Sequence, residues 1–139
     1  MEMTLILLKP DCRQKQIVGE VINRFEKSSL AIYGCKMMKL TRELLETHYA
    51  HIAQRPFFPE VTSYMQSAPV IALAVGGEDC IRRVRELVGP TDSTKAPKGT
   101  LRGDLGEDNM RNVVHASDST ETAEVELKRF FQQGEIFTD

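Results

Sequence analysis

The order of apolar and polar positions divides the chain into alternating strands and helices. Leu5 to Leu8 is a continuous apolar run, too short for a helix and long enough for a buried strand. Pro10 has no N–H to give to a ladder and ends it. Val18, Val21, Ile22 and Phe25 then fall at i, i+3, i+4 and i+7, one face of an amphipathic helix that Lys27-Ser28-Ser29 closes. Leu30 to Leu40, with Ile32, Tyr33, Met37 and Met38 among lysines, predicts a second strand. Thr41 stands where it can cap a helix whose Leu45, Tyr49 and Ile52 share a face.

Arg55-Pro56-Phe57-Phe58-Pro59 breaks that helix, and a short one is expected over Glu60 to Gln66. Pro69 to Val75 is a third strand, apolar almost throughout, and Gly76-Gly77 ends it. Asp79 is placed to cap a helix that turns Ile81, Val84 and Val88 inward and leaves Arg82, Arg83 and Arg85 on or near its polar side. From Gly89 to Arg111 no period emerges, and a loop of that length inside a compact domain usually serves a function. Val113-Val114 suggests a short fourth strand. Asp118 and Glu121 have capping-box spacing ahead of a helical face formed by Ala123, Leu127, Phe130 and Phe131.

This succession, without a repeat or a linker, predicts one domain over residues 1–139. Strands alternating with helices give a layered α/β arrangement. Four strands with crossing helices fit the split βαβ pattern of ferredoxin-like folds, and periodicity leaves a small doubly wound fold as a rival.

Composition narrows the function. A chain of roughly 150 residues hides about 70% of its unfolded surface, enough for a core without staples. Lys plus Arg number 18 and Asp plus Glu 20, a formal net charge of -2, which argues against a general nucleic-acid binder but not against a local basic cluster. The three cysteines, Cys12, Cys35 and Cys80, are scattered and odd in number. They form neither a disulfide framework nor a zinc ribbon and suit a reducing compartment. No signal-peptide pattern precedes the first strand, and no run reaches the roughly 20 apolar residues of a membrane span, so a cytoplasmic protein is expected.

Several nucleotide-site motifs are absent: there is no GxxxxGK[ST] and no GxGxxG. His48 and His51 have a spacing that could bind metal, but no Cys or suitable carboxylate pair accompanies them, so they read as surface or helix-packing histidines. His115 differs. It ends a short apolar run in Asn112-Val113-Val114-His115-Ala116-Ser117-Asp118-Ser119, directly after the long loop of basic and hydroxyl residues. Strand alternation would not point Asn112 and His115 the same way, so only a bend brings them together. An imidazole, with an ordinary pKa of about 6.5, can act as a nucleophile at neutral pH. Attack on a phosphoryl group then needs cations, and Lys9, Arg85 and Arg102 are the candidates.

At these residues the sequence resembles the nucleoside diphosphate kinase family. The matching strings are Leu8-Lys9-Pro10-Asp11, Arg55-Pro56-Phe57-Phe58, Ser67-Ala68-Pro69-Val70, Gly99-Thr100-Leu101-Arg102-Gly103-Asp104 and Asn112 to Ser119, in the family's order and at about its spacings. The resemblance implies a ferredoxin-like βαββαβ fold, a four-stranded antiparallel sheet covered by helices. It implies ping-pong transfer of the terminal phosphate of a nucleoside triphosphate such as ATP to His115 Nδ1 and on to a nucleoside diphosphate, which maintains NTP and dNTP pools. By the same resemblance Ser117 and Glu126 hold the histidine and Tyr49 packs beside it. Lys9 and Asn112 reach the sugar, Lys9 also reaches the transferred phosphate, and Arg85, Thr91 and Arg102 bind phosphates. Phe57 stacks on the base, and stacking on one flat ring reads no base edge. Mg²⁺ accompanies the nucleotide phosphates, with no metal ligand assigned among the protein side chains. The assembly expected is a homo-oligomer, tetramer or hexamer. Cys12, Asn109 and Met110 depart from the family's usual residues. The last two motivate a second reading, a nucleotide-binding module with little turnover. A nucleic-acid-binding ferredoxin-like domain would carry exposed aromatics on its central strands, where this chain has Leu, Ile, Val and Ala.

Overall fold

A computed structural model describes residues 2–138. Its strands are β1 (Glu2–Leu8), β2 (Ala31–Met38), β3 (Val70–Gly77) and β4 (Val114–Ala116). Its helices are α1 (Pro10–Gln14), α2 (Val18–Lys27), α3 (Arg42–His48), α4 (Phe58–Met65), α5 (Cys80–Val88), α6 (Leu101–Leu105) and α7 (Thr120–Phe130). The strands form one antiparallel sheet in the order β2-β3-β1-β4. β1 and β2 therefore run parallel with β3 between them, which is the split βαβ of a ferredoxin-like fold.

β1 is interior and meets a core on each side, which explains its unbroken apolar run. Ile6 and Leu8 face a cluster with Val21, Phe25, Leu73, Val84 and Leu101. Leu5 and Leu7 face the opposite cluster, with Leu45, Phe58, Met65, Ala72 and Phe130. The period-2 alternation of a strand thus assigns consecutive leucines to different layers.

Several element ends differ from the expectation, each for a local reason. The helix begun at Thr41, whose hydroxyl accepts from Leu44 N at 3.1 Å, stops at His48 rather than continuing through Ile52. Beyond Tyr49 the backbone bonds become i→i+3, as in Ile52 N to Tyr49 O at 2.9 Å, although Tyr49 and Ile52 still pack on the core. α4 starts at Phe58 because Pro59 suits a first turn. Asp79 does not cap α5: it is left-handed at φ 53, and its carboxylate takes Arg82 Nε at 2.6 Å. Glu2 instead accepts from Ile81 N at 2.8 Å. Asp118 does not cap α7 either. Ser119 does, accepting from Thr122 N at 3.1 Å. The aperiodic stretch contains a 3-10 turn over Ser93–Lys95 and the helix α6, capped by Thr100, which accepts from Gly103 N at 3.0 Å.

Candidate active site

The C-terminal end of β1 and the N-terminal end of β4 lie side by side, with Leu8 opposite Val114 and Leu7 opposite His115. Between Asn112 and Val114 the chain makes a γ-turn. Val113 has φ 76, and Val114 N donates to Asn112 O at 2.9 Å. This is the bend that strand alternation alone could not supply, and it starts β4 one residue later than the apolar pair suggests. Positive φ is a poor conformation for a β-branched residue and costs on the order of 1–3 kcal/mol. The central N–H and the carbonyls around the turn are engaged. Val113 N donates to Asp11 Oδ2 at 2.9 Å, and Val113 O accepts from Lys9 N at 2.9 Å. Arg102 donates from Nε to Asn112 O at 3.2 Å and from Nη2 to Val114 O at 2.7 Å.

Past the turn, His115 is half-buried and its Nε2 meets Glu126 Oε1 at 2.9 Å. Ser117 Oγ donates to the same oxygen at 2.7 Å. α7 carries Glu126 on its buried face, and Ser119 sets where that helix begins. Burial opposes a charge on Glu126, yet the bonds from His115 and Ser117 hold its pKa below the ordinary carboxylate value. A carboxylate can only accept, so Nε2 carries the proton and Nδ1 keeps its lone pair. Nδ1 has no hydrogen-bond partner among the described residues.

His48 is a site residue that sequence reasoning did not place. Its ring meets that of His115 edge-on with centroids 4.5 Å apart. Tyr49, expected beside His115, packs on the edge of His48 at 4.9 Å. Arg129 Nη1 donates to His48 Nδ1 at 3.0 Å, which leaves the proton of the neutral ring on Nε2. Burial first, then His115, pushes the pKa of His48 down to about 3, so its 3.9 Å approach to Glu126 is not an ion pair at neutral pH. The only available signal was its adjacency to Tyr49.

Donor atoms of His48, His115 and Glu126 lie within 4.8 Å of one another. The set does not suit a hard cation such as Mg²⁺, which prefers oxygen and keeps its waters. All three members are also already engaged, His48 through Nδ1 with Arg129, and His115 and Glu126 with each other. Oxygen donors lie elsewhere on the same cleft, on Asp118, Glu121 and Asp108.

The cleft holds about 1110 Å³ and brings together every residue expected in the site except Ser117, which lies beneath it. Lys9 is buried and donates from Nζ to Asn112 Oδ1 at 2.7 Å and to Met110 O. Burial and, less strongly, Arg102 bring its pKa down to about 8 against the pull of Asp11 and Asp108. The Asn112 amide reaches Thr91 O at 2.9 Å. Arg102 also donates to Gly89 O at 3.1 Å, so three of its five N–H groups serve the main chain and two remain. Burial and Arg85 lower its pKa to about 10. Gly89 has φ +90, and a Cβ there would come within 2.8 Å of Thr100 Oγ1, so this junction of α5 with α6 requires glycine. Arg85 and Thr91 are exposed on the rim, and Phe57 is 49% exposed at the mouth. Burial first, with help from Glu126, pushes the Tyr49 phenol up to about 12. The departure at Met110 is harmless to Lys9, because the contact is with a main-chain carbonyl.

A ferredoxin-like sheet with a histidine, a lysine and arginines gathered on one cleft defines a class, the nucleotide-using phosphotransferases. The family model described as nucleoside diphosphate kinase matches residues 2–136. The nucleoside diphosphate kinase of Parabacteroides distasonis is 49% identical over 137 residues, 99% of this chain and 90% of that protein. That of Picrophilus torridus is 49% identical over 136 residues, 98% and 99% of the two chains. Among solved structures, the Aquifex aeolicus nucleoside diphosphate kinase superposes with a TM-score of 0.92 at 40% identity, covering 97% of this chain and 98% of that one. The Halobacterium salinarum nucleoside diphosphate kinase, solved in complex with CDP, gives 0.96 at 37% identity, covering 99% and 92%. The chain belongs to the nucleoside diphosphate kinase family. Its function is that of the family: ping-pong transfer of a terminal phosphate between nucleotides, which maintains nucleoside triphosphate pools. Such a phosphotransferase generally uses a divalent metal. Among the described residues no helix is long and apolar enough to cross a membrane.

Proposed function

We propose that His115 Nδ1 is the atom that carries the phosphate. The observation that supports this reading is the Nε2 contact with Glu126, which leaves Nδ1 unpaired in a ring lining the cleft. In the first half-reaction Nδ1 forms a bond to the terminal phosphorus while the bond from that phosphorus to the bridging oxygen breaks. The diphosphate leaves with the electron pair, and the second half-reaction reverses these events with another diphosphate. As positive charge grows on the ring, Glu126 stabilises it through Nε2–H, and Ser117 keeps the carboxylate in place.

The remaining roles follow from position on the cleft. Lys9, Arg85, Thr91 and Arg102 bind phosphates, with Lys9 and Asn112 also meeting the sugar. Phe57 offers an exposed ring for the base, and Tyr49 supports the histidine pair. Mg²⁺ travels with the nucleotide phosphates, and the carboxylates of Asp118 and Glu121 are the protein oxygens placed to help hold it; when bound it neutralises phosphate charge. We further propose a homo-oligomer, tetramer or hexamer, working in the cytoplasm. β2 is an eight-residue edge strand carrying exposed Met37, a surface that suits pairing with another chain.

Incubation with terminally labelled ATP tests the reading. It predicts an acid-labile, base-stable protein phosphate that GDP or CDP discharges, and none in His115→Ala. Equal labelling of the two proteins would refute the assignment.

A further inference from the structure

We propose that Asp11 is a positioning residue for phosphate transfer: its buried carboxylate, aimed by the Tyr64 hydroxyl, holds the Val113 γ-turn that presents His115 and Asn112 to the cleft together. The inference rests on the role proposed for His115.

Four observations carry it. Asp11 is 3% exposed and sits in the first turn of α1, directly after Lys9 and Pro10. Its Oδ2 accepts from Val113 N at 2.9 Å, a buried bond across 102 residues of sequence. Its Oδ1 accepts a short hydrogen bond from the Tyr64 hydroxyl, whose oxygen accepts in return from Asp11 N at 3.1 Å. Finally, Val113 holds φ 76, a conformation that a valine leaves unless its surroundings enforce it.

The consequence is geometric. If Val113 relaxed to ordinary strand angles, side chains would alternate strictly through Asn112, Val113, Val114 and His115. Asn112 and His115 would then face opposite ways, and Asn112 would lose Lys9 or His115 would lose Glu126. Arg102 fixes the carbonyls on either side of the turn, and Lys9 N fixes that of Val113. Asp11 is the side chain that fixes the Val113 N–H. It needs no contact with nucleotide to affect the reaction.

Asp11 also attracts Lys9 electrostatically, so the test must separate charge from placement. Asp11→Asn removes the charge and keeps an acceptor at the same reach, with its amide turned to the Tyr64 oxygen. Asp11→Glu keeps the charge and misplaces the acceptor by one methylene. A misplacement of about 1 Å can cost about 10²-fold in rate. Read on the acid side of each variant's Lys9 titration, the expected result is that Asp11→Glu loses about 10²-fold in kcat with KM little changed, and that Asp11→Asn loses at least about tenfold less. Adding Val113→Gly to Asp11→Glu recovers at least about tenfold of that loss, because glycine adopts positive φ unaided. Folding is checked for each variant by its melting transition, and the ¹⁵N spectrum of the His115 ring reports whether Nε2 is still bonded to Glu126.

The proposal is overturned if Asp11→Asn falls as far as Asp11→Glu, or if Val113→Gly gives no recovery in a folded protein. Should Asp11→Glu fail to fold, Tyr64→Phe takes its place. A fall in kcat of at least about threefold with a perturbed His115 ring spectrum then supports the latch, and an unchanged rate and spectrum overturns it. Failure of wild type to form phosphohistidine would instead refute the function on which this inference rests.

Discussion

One oxygen of Glu126 receives both His115 Nε2 at 2.9 Å and Ser117 Oγ at 2.7 Å. Glu126→Gln keeps the volume and removes the charge, and the serine can still be satisfied by the amide oxygen. The amide then faces Nε2 either with a donor, which forces the imidazole into the wrong tautomer, or with a weaker neutral acceptor. Exchanging a carboxylate for an amide behind a catalytic imidazole is severe in other enzymes. Glu126→Gln should therefore lose at least about tenfold in the rate of phosphoenzyme formation in rapid-quench measurements, with nucleotide affinity almost unchanged. A rate equal to wild type would remove Glu126 from the mechanism. Single residues were legible to unequal degrees. Lys9 drew notice because it ends the first apolar run before Pro10 and His115 because it follows the long loop of basic and hydroxyl residues, and the family resemblance supplied the role expected of each. Asp11 and His48 were not found as site residues, because their partners lie 102 and 81 residues away for Val113 and Arg129 respectively. Nothing in local spacing encodes contacts that long.

At the scale of elements, legibility followed length. α2 and α5 are long enough to show a helical period, and β1 and β3 stand out as unbroken apolar runs, the start of β1 being read three residues late. α6 has five residues and gives the core Leu101 and, at its edge, Leu105, while much of the stretch from Gly89 to Arg111 is held by side chains bonding to nearby main chain. Asp92 accepts from Thr94 N at 3.0 Å, and Asp108 accepts from Met110 N at 3.0 Å and Arg111 N at 2.6 Å. Such bonds give order without periodicity. Within α6, a Cβ at Gly103 would stand 2.0 Å from Pro97 O, so this helix packs by main-chain contact. The misread cap of α7 gives a direct test, because the helix start decides where Glu126 points. Ser119→Ala removes the acceptor for Thr122 N and should destabilise the protein by about 1 kcal/mol. Asp118→Ala, by contrast, should leave stability nearly unchanged. Urea unfolding of the two variants distinguishes them, and the reverse order would restore Asp118 as the cap.

Across the whole molecule, the sheet order determines both where the site lies and what it costs the fold. β1 is interior, so a lysine at its end leaves the core boundary directly into the cleft, where it is buried at 7% exposure. The net charge of -2 says nothing of this, because Lys9, Arg85 and Arg102 are gathered on one cleft together with the carboxylates of Asp108, Asp118, Glu121 and Glu126. Burial lowers the Lys9 pKa from 10.5 to about 8. In the unfolded chain the amine returns to its ordinary value, so between pH 8 and 10.5 the unfolded state binds more protons than the folded one. Lys9 taken alone therefore raises stability with pH across that window, while the buried thiols of Cys12 and Cys80, held up to about 12 and 11, work against it as the unfolded thiols ionise. The full difference is on the order of 3 kcal/mol, and only part of it is recovered by pH 10. Activity should move the opposite way. The charged amine is the form that meets phosphate, so kcat/KM, which reports the free enzyme, should fall above about pH 8. Denaturant unfolding and initial rates measured in the same buffers from pH 7 to 10 test the pair of slopes. Lys9→Met should make the change of stability with pH less favourable than that of wild type and remove the alkaline limb from what activity remains. A Lys9→Met slope equal to that of wild type between pH 8 and 9.5 would show that the buried lysine is not a strain on this fold.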